Sequence, residues 1–190
     1  LDTVYKAAKN IISEEVPGWK NLTANLTVPL GNNDMAVCRN QLRDIFRRFA
    51  EMPVISRVIE DSSPNGNGRE IRKEFRENNL LGKPAFLHCI FDAWIAVRGD
   101  EGSSDQLIAN KLSNIDFSYD VNGYWNNLIF LGEEKKMQTK GEDKKITSYL
   151  IRHLLGHDFG GLQKDVNYLR NTFASRKRTI NVPTELPAPI

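Results

Sequence analysis

Apolar residues at 35, 38, 42, 45, 46 and 49 (Met35, Cys38, Leu42, Ile45, Phe46 and Phe49) recur at intervals of three and four. That period is one face of an α-helix, predicted over 35–52 and ended by Pro53. Earlier, Val4, Ala7, Ala8, Ile11 and Ile12 share a helical face that Pro17-Gly18 closes. Between the two helices the period drops to two. Leu22, Ala24, Leu26 and Val28 alternate with Asn21, Thr23, Asn25 and Thr27, predicting a half-buried strand over 21–28. Residues 54–61 fit either a strand or a helix. Ser62 to Gly68 has the composition of a loop suited to contacting a ligand.

A charged helix follows over 69–79, with Ile71 and Phe75 as its regular apolar positions and Leu80 at its end. Pro84 suits the first residue of the next helix, which is apolar nearly all round to Val97 and so predicts the central core helix. A loop over 99–104 and a short helix over 105–112 come next. Ile115, Phe117, Tyr119 and Val121 then alternate ahead of Asn122-Gly123, with Tyr124, Leu128 and Phe130 beyond it. This predicts a β-hairpin over 115–131 with a type I′ turn. Residues 133–145 are mostly charged or polar and read as an exposed connection. Helices are expected at 144–155 and 162–175, and Pro183, Pro187 and Pro189 make 179–190 an extended arm. The expected fold is mainly α with a minor β component (α+β), a single helical domain over 1–178 carrying a β-hairpin and an extended C-terminal arm over 179–190.

Composition narrows the class without naming a function. At 190 residues with 40% apolar and 26% charged side chains, the chain can bury a sizeable core. Its net charge of +2 excludes a histone-like polycation. Cys38 and Cys89 sit in apolar stretches and read as two buried thiols. No apolar run reaches the roughly 20 residues of a membrane span, so no membrane partner is expected. No secretory signal is visible, and the expected setting is intracellular, its compartment open.

Candidate chemistry is sparse. His153 and His157 stand four apart, but Gly156 is expected to end their helix, and no Cys or third His lies nearby. A helix-end histidine bound to a backbone carbonyl is the expected role, and no metal or other cofactor is expected. His88, in the apolar helix, reads as a hydrogen-bonded core residue. Asp100 and Glu101 read as solvated turn residues. There is no G-x-S-x-G, phosphate loop or dinucleotide fingerprint, and no catalytic residue is assigned.

The basic clusters say more. Arg39, Arg43 and Arg47 recur every four residues with Arg48 beside them. Arg69, Arg72, Lys73 and Arg76 repeat at three and four, and Arg170, Arg176, Lys177 and Arg178 precede the arm. Residues 162–178 hold five basic side chains and one acidic. Guanidinium forks match phosphate oxygens, so these twelve residues are the candidate contacts to RNA or DNA. The alternative is an ordinary solvated surface, paired with Asp44, Glu51, Glu70 and Glu74 at helical spacing. The apolar arm is expected to dock on its own domain or on a neighbouring subunit, as in coat-like assemblies.

One stretch partly resembles the first half of a tyrosine recombinase catalytic domain. Arg98 and Glu101 stand three apart after an apolar helix, a hairpin region follows, and Lys136 or Lys140 comes next. Leu155-Gly156-His157 looks like that family's Leu-Gly-His motif, with Tyr168 downstream as the implied nucleophile. The His-x-x-Arg element that precedes this motif in the family is missing here, and the gap after the lysine is short. The leading expectation is a non-enzymatic nucleic-acid-binding or assembly protein that self-associates through the arm. The alternatives are a DNA-processing enzyme of recombinase type and a protein–protein adaptor.

Overall fold

The computed structural model describes residues 32–61, 67–98, 103–132, 134–157, 161–177 and 185–190, with the backbone alone at 32, 34, 169, 170 and 172–177. The opening helix, the strand over 21–28, most of the loops at 62–68 and 99–104, and positions 178–184, which include the start of the expected arm, lie outside the described residues. Among the described residues the fold is mostly helical with a small two-stranded antiparallel sheet. Seven α-helices run in order: α1 (Asn32–Ala50), α2 (Pro53–Asp61), α3 (Gly68–Asn78), α4 (Pro84–Arg98), α5 (Asp105–Ser113), α6 (Gly141–Leu154) and α7 (Leu162–Lys177). Strands β1 (Phe130–Leu131) and β2 (Lys136–Met137) lie between α5 and α6.

Helix α1 buries Cys38 and Ile45 and packs Leu42, Phe46 and Phe49 against the core, as its period predicts. Met35, at the edge of that face, is 52% exposed. Pro53 both ends α1 and opens α2, because a first-turn N–H has no helical partner to lose. The ambiguous stretch at 54–61 is therefore helical. Pro84 opens α4 in the same way, and α4 buries Phe86, Cys89, Ile90, Phe91, Ala93, Trp94, Ile95 and Val97. It is the core helix, and its most extensive packing is against α6. The two are stitched by polar contacts: Ser148 Oγ donates to Asp92 Oδ2 (3.0 Å), and Arg152 lies 3.8 Å from the same carboxylate.

The sheet lies later in the chain than expected. Ile115, Phe117 and Tyr119 do alternate inward. Their strand-like backbone, however, pairs with the segment after α3: Leu80 N donates to Phe117 O (2.8 Å), beside a bridge between Asn79 and Ser118. A type I′ turn needs positive φ at both central residues, and neither Asn122 nor Gly123 adopts it. Asp120 wins locally, its Oδ1 accepting from Asn122 N (2.9 Å) and its carbonyl from Gly123 N (3.0 Å). The left-handed positions are instead Gly132 (φ 51°) and Lys135 (φ 49°), between β1 and β2. Phe130 then pairs with Met137 and Leu131 with Lys136. The connection expected over 133–145 thus contains a strand and the first turn of α6.

Asn126 holds the intervening loop together. It is fully buried, its Nδ2 donates to Val121 O (2.6 Å), and its Oδ1 accepts from Asn127 N and Gly132 N (both 2.9 Å). Around it, Phe86 stands edge-on to Phe117 and Trp125, and Tyr119 edge-on to Phe130.

Helix α6 ends in a Schellman motif. His157 N donates to Arg152 O and Gly156 N to His153 O, with Gly156 left-handed at φ 100°. Lys111 Nζ, from α5, donates to the neighbouring Leu155 carbonyl (2.8 Å). Residues 185–190 lie against this corner. Leu186 N donates to Gln163 Oε1 (2.7 Å), His153 Nε2 to Pro187 O (3.0 Å) and Ile190 N to Leu154 O (2.8 Å). Leu186 packs against the core, while Ile190 stays 41% exposed.

Candidate nucleic-acid interface

Helix α1 directs its apolar face inward, which leaves the neighbouring stripe of Arg39, Arg43 and Arg47 exposed. Arg47 pairs with Asp44 at 3.5 Å, and the partly covered Arg48 with Glu51 at 2.7 Å. Arg39 and Arg43 have no carboxylate within ion-pair distance among the described residues. Helix α3 repeats the arrangement. Ile71 and Phe75 turn inward, while Arg69, Arg72, Lys73 and Arg76 are exposed. Lys73 lies 3.9 Å from Glu77, and Arg69, Arg72 and Arg76 have no such partner among the described residues.

Helix α2 packs on both α1 and α3, so two of the three expected clusters belong to one part of the fold. The third does not join them through any described side chain. Arg170, Arg176 and Lys177 lie on α7, which packs on α6, with only their backbone described, and Arg178 lies outside the described residues.

Two further cations converge on this region without any signal in the sequence. Lys135 Nζ donates to the Glu77 carbonyl (3.0 Å) and Asn78 Oδ1 (3.3 Å), capping the end of α3. Its ammonium stands 5.2 Å from the centre of the Tyr119 ring, and that of Lys83 stands 5.7 Å from the same ring. They are far apart in sequence, so only the tertiary fold brings them together.

Arg98 and His153 each have a structural partner. Arg98 bridges to Asp105 (3.2 Å), which also accepts from Trp94 Nε1 (2.8 Å), so it ties α4 to α5. Lys136 lies on β2, and Tyr168 is 63% exposed on α7. His153 binds the Pro187 carbonyl, as a helix-end histidine is expected to bind a carbonyl. Among the described residues no group of three His, Cys, Asp or Glu side chains could hold a metal ion, and no helix is long and apolar enough to cross a membrane. Cys38 and Cys89 are buried thiols, and burial, followed by the Asp92 charge, pushes the Cys89 thiol up to about 12. Comparison of the chain with protein-family models, curated proteins and solved structures gave no match.

Proposed function

We propose that this chain is a non-enzymatic nucleic-acid-binding or assembly protein that contacts phosphates through the basic faces of α1 and α3. The observation that supports this reading is the set of exposed guanidinium groups at Arg39, Arg43, Arg69, Arg72 and Arg76, none with a carboxylate in ion-pair range among the described residues. A solvated helix face with mixed charges would use its basic side chains in pairs at i, i+3 or i, i+4, as Arg47, Arg48 and Lys73 are used. Unpaired guanidinium groups keep their donors for phosphate oxygens. The Arg98–Asp105 bridge favours this reading over the recombinase one, in which Arg98 would hold the transferred phosphate.

The domain over 1–178 would carry this surface, and the arm over 179–190 would supply self-association. The contacts with Gln163, His153 and Leu154 would be kept if residues 185–190 were exchanged with a neighbour. The test is binding of labelled RNA and DNA duplexes across a salt series. Each neutralised phosphate contributes a slope of about −0.9 in log K against log salt. Replacing Arg43 and Arg72 by alanine should weaken binding to all sequences alike and reduce that slope by about two. Retention of neither RNA nor DNA at low salt refutes the reading.

A further inference from the structure

We propose that Arg76, Lys83 and Lys135 form one seat for a nucleic-acid backbone, carrying the phosphate path from α3 onto the tip of the β-hairpin. This rests on the reading above and extends it to residues on separate segments of the chain. The turn Leu80–Gly82 lies directly on α3, since a Cβ at Gly82 would stand 2.7 Å from Arg76 Cα. This close approach sets Lys83 beside the end of α3. Its backbone is fixed there, because its carbonyl accepts from Phe86 N and Leu87 N (both 3.0 Å) as α4 begins.

Lys135 arrives from the other side. Its left-handed backbone (φ 49°) is a conformation that a lysine adopts only when its surroundings hold it there. Here the bonds to Glu77 O and Asn78 Oδ1 do so, using two of the three ammonium donors. Both ammonium groups flank the Tyr119 ring, so they are at most about 11 Å apart. No carboxylate is in ion-pair range of Arg76, Lys83 or Lys135 among the described residues.

Two ammonium groups at one ring, beside the exposed Arg76 of the last turn of α3 and with no carboxylate in ion-pair range among the described residues, fit a repeating chain of negative charge. Tyr119 is only 9% exposed, its hydroxyl lies against Met137 Sδ, and its ring supports the two ammonium groups instead of offering a face for a base to stack on. The seat therefore reads phosphate and not sequence.

The test is fluorescence anisotropy with labelled 20-nucleotide oligo(dT), oligo(dA) and oligo(U) on the full chain, between 50 and 200 mM salt. The Lys83→Gln, Lys135→Gln double variant should bind all three about ten-fold more weakly, with the salt slope reduced by about 0.7 per lysine. Lys135 also caps α3, so Lys83→Gln alone is the second variant, expected to lose about half of that slope change with an unaltered thermal melt. An unchanged slope in Lys83→Gln, while Arg43→Ala weakens binding, overturns the seat and leaves the α1 and α3 surface standing. Absence of binding by the wild-type chain overturns both. Capture by vesicles of phosphatidylcholine with 30% phosphatidylserine, lost in Lys83→Gln and without oligonucleotide binding, would assign the corner to lipid headgroups and also overturn it.

Discussion

Replacing Asn126 by alanine should cost far more than an average surface change, because its buried amide closes the 121–132 loop from within. The side chain is fully buried and makes three hydrogen bonds, to Val121 O, Asn127 N and Gly132 N. These losses are unequal. Asn127 N also donates to Phe130 O at 2.8 Å and stays satisfied. Gly132 N and Val121 O, both part-buried, lose the partner described for them, and leaving such a group unsatisfied costs up to about 1–3 kcal/mol each. The expected destabilisation is thus at most about 2–6 kcal/mol, read by urea denaturation at constant m.

Asn126→Asp sharpens the argument. It keeps an acceptor for the two N–H groups but turns a carboxylate oxygen toward Val121 O. Burial raises the introduced acid's pKa in the folded state, so the variant's stability is intact below about pH 3.9, the unfolded value, and is lost as pH rises. Below that pH the protonated acid can donate to Val121 O as the amide did, and the gap to wild type should narrow. A loss under about 0.5 kcal/mol in Asn126→Ala, or an Asn126→Asp penalty that does not change with pH, would refute this account of the loop.

Two further outcomes follow from buried contacts elsewhere. Deleting residues 185–190 removes the half-buried Leu186 and three hydrogen bonds, offset by the ordering entropy of the segment. A net loss of about 1 kcal/mol lowers Tm by about 2–4 °C, and a simultaneous fall in mass by light scattering identifies an exchanged arm. Unchanged mass and Tm would show that the strap contributes nothing. Cys89, its thiol pushed up to about 12, should resist alkylation in the native protein at pH 8. Because the folded value lies above the unfolded one, its contribution to stability is intact below about pH 9 and lost as pH rises toward 12. Cys89→Ala should flatten that alkaline limb, and rapid native-state labelling of Cys89 would contradict its burial.

Period and turn chemistry determined much of this protein by themselves. A 3.6-residue repeat marks the buried face of any helix long enough to show it, so α1, α3 and α4 were legible, and the prolines at 53 and 84 marked their boundaries. Gly156 as the stop of α6 followed from the left-handed backbone that a helix end favours. The exposed arginines on α1 and α3 were legible for the same reason, since what does not face the core faces solvent.

Pairing was not legible. The alternation of Ile115, Phe117 and Tyr119 announces extended backbone, but the sequence does not say which segment accepts its hydrogen bonds. The tertiary structure gives that role to Asn79 and Leu80, and moves the hairpin to 130–137, where a lysine takes a left-handed turn position that sequence rules reserve for glycine or asparagine. Side-chain partners lay beyond sequence reasoning for the same reason. Asp105 engages Arg98, Pro187 engages His153, and Lys83 and Lys135 meet over Tyr119 because chain folding joins positions that no local period relates. Local rules act through neighbours along the chain, whereas charge, hydrogen bonding and burial act through neighbours in space.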